Sequence, residues 1–258
     1  MEEARYLRIL DQLRGHPIER LSLFLMNEPL LDRRLAAWIA QARAALPGAV
    51  LGLFSNGAAL DVDRARALAA AGLDELCVSV HGFDAETYER VMSGLSYARL
   101  RANLDEVLAA ADDGALGALR IQLVTGDVPE IARTRDLAPL RYRDRVLLKA
   151  FSNERTAVGV EAGLPSSRPV AGAGADDAPC QRLFVKLYIL ANGDCVLCNV
   201  DWRRTVTLGR VGDPGGATIA DVWRGAAYTA IRREHFTGRF ERAAICARCD
   251  YTRVVDRE

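Results

Sequence analysis

At 258 residues the chain is long enough for one large domain, or one domain with a small appendage; half of its residues are hydrophobic, and 34 basic side chains balance 34 acidic ones. That balance leaves no positive field for a nucleic acid or an anionic membrane. The longest apolar stretches, such as Leu21 to Met26, are strand-sized and far short of the ~20 residues needed to span a bilayer. The N-terminus, Met-Glu-Glu-Ala-Arg, lacks the basic region and apolar core of a signal peptide. A cytoplasmic location is therefore expected, where paired cysteines serve more often as metal ligands than as disulfides.

Along residues 1–150, short β-type runs alternate with Ala/Leu/Arg-rich segments of helical spacing. Strands are expected at Leu21–Met26, Val50–Phe54, Glu75–Val80, Leu119–Val124 and Arg145–Lys149. Helices are expected at Arg33–Leu46 and at Val62–Ala71, the second closed by Gly72. Such alternation predicts βαβ units on a parallel sheet. In folds of that kind ligands bind at the C-terminal ends of the strands. From Ser152 to Pro179 the texture turns to Gly, Ala, Pro, Ser and Asp and reads as a linker. A second module follows: Phe184–Leu190, a turn over Ala191-Asn192-Gly193-Asp194, and Cys195–Val200 form a hairpin signal, and Thr218 caps a helix through Arg233. The expected domains are thus 1–151, a linker over 152–179, and 180–258.

The strongest chemical signal lies in the tail. Cys180, Cys198, Cys246 and Cys249 include one C-x-x-C pair; seventeen residues separate the first two and forty-seven the middle two. Ligands so far apart come from different elements and are assembled by folding. Four thiolates of this kind hold an iron–sulfur cluster or a structural zinc, and the spacing does not choose between them; buried thiols of an ordinary core are the plain alternative. At the strand ends, Glu28 in Met26-Asn27-Glu28-Pro29 reads either as an acceptor for a ligand ammonium group or as a helix-capping acid. Ser55-Asn56-Gly57 reads as a ribose contact or a simple turn. Ser79 and His81 end the third strand; a lone histidine is more often structural, and Cys77 inside the strand reads as core. Asp84-Ala85-Glu86-Thr87 starts a helix as a near capping box, and Arg90 on it reads as a solvated side chain.

Taken in order, Asn-Glu-Pro-Leu-Leu, Ser-Asn-Gly and Val-Ser-Val-His-Gly-Phe-Asp-Ala-Glu-Thr-Tyr-Glu-Arg resemble the radical S-adenosylmethionine (SAM) superfamily. The tail from Cys180 to Cys249, with Asn192-Gly193-Asp194, Leu208-Gly209-Arg210-Val211 and Ile219-Ala220-Asp221-Val222-Trp223-Arg224-Gly225, resembles its SPASM/Twitch extension. The resemblance implies an α/β fold: a partial (β/α)6 TIM-like barrel, its first strand missing here, with a small C-terminal hairpin-and-helix module. It implies SAM at the barrel rim, with Glu28 at its amino group, Ser55 and Asn56 near its ribose or methionine moiety, and Ser79 lining the same site. It further implies an auxiliary [4Fe-4S] cluster on Cys180, Cys198, Cys246 and Cys249, leaving Cys195 spare.

Two features depart from the family pattern. Met26-Asn27 stand where the family has Gly-Gly before the glutamate, which alters the close approach to SAM. The C-x-x-x-C-x-x-C loop that binds the electron-donating cluster is absent, since the first 76 residues contain no cysteine. Met1 is accordingly read as an internal methionine of a longer protein, and a second [4Fe-4S] cluster is expected only with the missing segment. For the intact protein the resemblance implies hydrogen abstraction from a peptide or small-molecule substrate, with electrons from a donor protein and with neither nucleic acid nor membrane as partner. The chain as written is expected not to cleave SAM reductively. The alternative is a non-catalytic metal-binding scaffold with a structural zinc or iron–sulfur site.

Overall fold

A computed structural model describes residues 1–126, 134, 137–139, 142, 145–149, 179–199, 201 and 203–247. The chain divides into two compact units, Gly15–Phe151 and a second that joins Met1–Arg14 to Ser152–Glu258.

The first unit is built on five parallel strands: β1 (Arg20–Ser22), β2 (Val50–Ser55), β3 (Glu75–Ser79), β4 (Arg120–Gly126) and β5 (Val146–Lys149). They lie in sequential order β1-β2-β3-β4-β5. A doubly wound sheet would reverse its order partway; sequential order with parallel neighbours is instead the winding of a barrel wall. Leu51 and Leu53 of β2, with Leu76 and Val78 of β3 and Ile121 and Leu123 of β4, are buried, as the strands of a covered parallel sheet must be. Helices α2 (Leu35–Ala45), α3 (Val62–Ala70), α4 (Ala85–Val91) and α5 (Tyr97–Asp112) connect β1 through β4. On α2 the buried side chains Leu35, Trp38, Ile39 and Ala42 follow helical spacing, and on α5 Tyr97, Leu100, Leu104 and Leu108 do the same. Asp61 and Asp84 cap α3 and α4 by accepting from the amides of Arg64 and Thr87. β1 is shorter than its apolar run because the chain bends beyond Ser22, where the Leu25 amide turns to the Asn27 side chain at 3.4 Å.

At the N-terminal ends of the strands, the Arg43 guanidinium donates to the carbonyls of Pro47 at 2.9 Å, Ala49 at 2.8 Å and Gly72 at 3.0 Å and pairs with Asp74. Glu75 there is paired with both Arg20 and Arg120.

In the second unit α6 (Arg182–Val185) leads into an antiparallel sheet of β6 (Tyr188–Ile189), β7 (Asp194–Val196) and β8 (Thr207–Arg210), followed by α7 (Ile219–Arg224), α8 (Ala226–Thr237) and α9 (Ala244–Ala247). The Asn192-Gly193 turn forms as expected. Gly193 has φ +91° and a Cβ there would strike the Val211 carbonyl oxygen, so the turn demands glycine. Two expectations are corrected. Phe184 and Val185 are helical rather than the start of the hairpin strand, which begins at Tyr188. The helix expected from Thr218 to Arg233 is two helices broken at Gly225, whose ψ of 157° is extended. Thr218 and Asp221 do form a full capping box.

Helix α1 (Glu3–Leu13) belongs to this second unit. Its Ile9 lies in the apolar core with Leu183, Cys195, Leu197, Val211, Val222 and Tyr228. Polar contacts fix its register: Arg5 pairs with Asp213 at 2.7 Å, Arg8 donates to the Gly212 carbonyl at 2.7 Å, and Gln12 accepts from the Ile219 amide at 2.7 Å. The stretch expected as a linker lies outside the described residues except for Pro179.

Candidate functional site

In the first unit the loops after β1 and β2 are tied by one carboxylate. Glu28 caps a single 3-10 turn, Pro29–Leu31, with Oε1 accepting from the Leu30 amide at 3.0 Å. The same Oε1 accepts from the Ser55 hydroxyl at 2.8 Å, and Oε2 accepts from the Asn56 amide at 2.7 Å. Ser55, only 3% exposed, also accepts from the Gly57 amide at 2.9 Å. Gly57 has φ +73°, and a Cβ there would strike Leu100 and Val78, so the turn after β2 is held close by glycine. The expected capping reading of Glu28 is thus realised, and with it a link between two strand ends.

Ser79 closes β3, the strand beside β2. His81 follows it; burial brings its pKa down to about 4, so the imidazole is neutral at physiological pH. Cys77 is buried in β3 with its thiol 3.6 Å from Gln122 Oε1, a core position. Arg90 is exposed.

In the second unit, Cys180, Cys198 and Cys246 all pack, partly buried, on one apolar core cluster. None of them is in a disulfide. Cys249 lies outside the described residues. Among the described residues no three His, Cys, Asp or Glu side chains close on a single point as a metal-ion cage. Cys180 and Cys198 nevertheless share an environment. Burial above all raises the pKa values of Tyr188 and Tyr228 against the opposing pull of Arg182 on the first and Arg232 on the second, and negative charge on either cysteine as a thiolate adds to the rise. Cys195 is fully buried and its thiol is pushed up to about 12 by burial, which suits an inert core residue.

Each cysteine arm has its own anchor. Asp201, 0% exposed, accepts from the Thr205 amide and hydroxyl, both at 2.9 Å, and from the Val206 amide at 3.0 Å, while its own amide donates to the Cys198 carbonyl at 3.3 Å. The Cys180 amide donates to His235 Nδ1 at 3.3 Å, Arg232 Nε donates to the Leu183 carbonyl at 2.8 Å, and the Tyr228 hydroxyl donates to the Lys186 carbonyl at 3.0 Å. Glu234 accepts from the amides of Arg242 at 2.9 Å and Ala243 at 3.2 Å, and the Ala243 carbonyl accepts from the Cys246 amide at 2.8 Å. Asp201, Arg232, Glu234 and His235 were not singled out from the sequence. The signal that marks them is polar side chains within an otherwise apolar helical stripe, Tyr228, Ile231, Arg232 and His235, and a lone aspartate three residues past Cys198.

The donor chemistry fits a thiolate-held cluster. The cysteines are soft ligands on separate arms, and His235 Nε2 and Arg232 Nη2 are buried nitrogens with no partner among the described residues.

An α/β barrel wall carrying a carboxylate at its strand ends, joined to a cysteine module, is the class that fold and geometry define. The family model for the radical SAM superfamily matches residues 1–131, and that for an iron–sulfur cluster-binding domain, SPASM, matches residues 180–250. The chain belongs to the radical SAM superfamily, and its radical SAM and SPASM domains imply SAM and iron–sulfur as its cofactors. No curated protein matches the chain. Among solved structures, BtrN in complex with AdoMet and 2-DOIA superposes with a TM-score of 0.61 at 16% identity, over 97% of this chain and 80% of that one. Native anSMEcpe with bound AdoMet gives 0.61 at 12% identity, over 92% and 75%. Streptococcus suis SuiB bound to precursor peptide SuiA gives 0.61 at 14% identity, over 90% and 60%. At such identities these likenesses establish the fold.

Proposed function

We propose that this chain is the substrate- and SAM-binding body of a SPASM/Twitch-type radical SAM enzyme that abstracts a hydrogen atom from a peptide or small-molecule substrate. The observation that carries the reading is Glu28. A carboxylate offers about four lone-pair sites; three are taken by Leu30, Ser55 and Asn56. One site on Oε2 is left for an ammonium group, on a carboxylate already immobilised by its neighbours. Ser55, Asn56 and Ser79 supply the adjoining strand ends for the rest of SAM. Both substrate classes have a counterpart among the structural neighbours, 2-DOIA with BtrN and the precursor peptide SuiA with SuiB.

Bound clusters and SAM supply the radical chemistry; the protein orients SAM and substrate and excludes water. Cys180, Cys198, Cys246 and Cys249 would hold the auxiliary [4Fe-4S] cluster. The iron–sulfur domain match favours this over zinc. The enzyme is read as cytoplasmic and served by an electron-donor protein; among the described residues no helix is long and apolar enough to cross a membrane. The chain as given contains no C-x-x-x-C-x-x-C loop and is not expected to cleave SAM on its own.

The test is SAM binding by calorimetry on the full chain, with Glu28→Gln alongside. Binding that weakens at least tenfold in the variant supports the assignment; equal affinity overturns it. Incubation with SAM and dithionite should yield no 5′-deoxyadenosine, and its formation would overturn the expectation of inactivity.

A further inference from the structure

Helix α8 is more than a packing element. Tyr228, Arg232 and His235 stand at i, i+4 and i+7, one face of the helix, and each grips the main chain between Cys180 and Lys186. The neighbouring Glu234 holds the two amides that precede α9, which carries Cys246. Two consecutive residues of one helix therefore tie the arms of two cysteines that have sixty-five residues between them in sequence.

His235 has a further property. Its Nδ1 accepts the Cys180 N–H, so in the neutral ring the proton sits on Nε2. The residue is 6% exposed, and Nε2 is buried with no hydrogen-bond partner among the described residues. Buried N–H groups are almost always paired, and an exception calls for an explanation such as a group that completes the site. The side chain already touches the Cys180 main chain, and sulfur is the acceptor that a thiolate-held cluster would bring to it.

We propose that His235 is a positioning residue of the tail metal site, anchoring the Cys180 arm through Nδ1 and donating its Nε2–H to a sulfur of the bound cluster. This rests on the reading of the tail cysteines as cluster ligands. Hydrogen bonds to cluster sulfurs stabilise the more negative, reduced state and raise the reduction potential.

Two substitutions separate the two roles. His235→Asn keeps an acceptor for the Cys180 amide and removes the Nε2 donor; His235→Leu removes both. The full chain and each variant are reconstituted without oxygen, and iron content, far-UV circular dichroism and the reduction potential from a titration followed by electron paramagnetic resonance are compared. His235→Asn should retain wild-type iron while its oxidised-to-reduced ratio at fixed potential rises about tenfold, a fall of about 59 mV for one electron. His235→Leu should lose at least half of the iron with its circular dichroism unchanged. Should the Leu variant not fold, the Asn variant carries the test alone. An unchanged potential in His235→Asn overturns the inference. A wild-type chain that takes up no iron overturns the cluster reading beneath it, and the two failures are thereby distinct.

Discussion

The two candidate sites are built by opposite strategies. At the strand ends of the first unit, Glu28, Ser55 and Asn56 are brought together by parallel pairing of adjacent strands, and one carboxylate completes the link. In the second unit, the cysteines ride on separate arms, each tied by its own polar anchor: Asp201 for Cys198, His235 for Cys180, Glu234 for Cys246. The sheet fixes the first site without a ligand, whereas the second depends on long-range side-chain ties that a metal group would close. A rigid rim suits repeated binding and release of a small cofactor; an assembled cage suits a resident one.

The largest expected effect removes a ligand of the assembled site. Cys198→Ala should reduce the iron of reconstituted protein from about four per chain to below one, measured by iron and sulfide analysis, with SAM affinity unchanged. A variant that keeps its iron would remove Cys198 from the ligand set. Next in size, Glu28→Ala should weaken SAM binding roughly tenfold to a hundredfold, the range for loss of a hydrogen bond to a charged group at ~1.5–3 kcal/mol. Calorimetry reads it, and tail iron should be unaffected. If both quantities fall together, the sites are not built independently.

A third substitution probes the floor beneath the rim. Arg43→Met strips the donors from the carbonyls of Pro47, Ala49 and Gly72 and unpairs Asp74. With partly buried acceptors left unmade, a loss of ~2–4 kcal/mol is expected, seen as a melting temperature several degrees lower. Cluster content at 25 °C should stay unchanged, and a drop would tie the tail to that floor.

The smallest effect is acid sensitivity. Desolvation works to raise the Glu75 pKa, but the bonds and charges of Arg20 and then Arg120 outweigh it and hold the carboxyl below its ordinary value. A folded-state pKa below the unfolded one gives stability that is present above the unfolded value, near pH 4.5, and lost as pH falls below it. Glu75→Gln should therefore flatten the decline of melting temperature below pH 4.5, and an equally steep decline would show that the triad does not contribute.

The sheet was legible in the sequence because buried parallel strands read as β-type apolar runs between helices of clear spacing. Glu28 was legible as a strand-end acid, though not as the group that bridges to Ser55 and Asn56, since that depends on which strands are neighbours. The break at Gly225 was hidden because the segments on either side, Ile219–Arg224 and Ala226–Thr237, are both helical and abut without a loop, so that only the extended ψ of Gly225 parts them. The amphipathic stripe of α1 announces that Tyr6, Ile9 and Leu10 are buried, yet not that Ile9 packs in a core supplied from beyond residue 180. The four cysteines were visible by type and spacing. Their anchors were not, because a buried Asp201 or His235 differs from a solvated one only through partners that folding brings to it.

The most direct measurement is iron, sulfide and zinc content, with the visible spectrum, of the full chain purified and reconstituted without oxygen. The account predicts about four irons and four sulfides per chain with the broad absorption of a thiolate-held [4Fe-4S] cluster. One zinc with neither iron nor sulfide would contradict it.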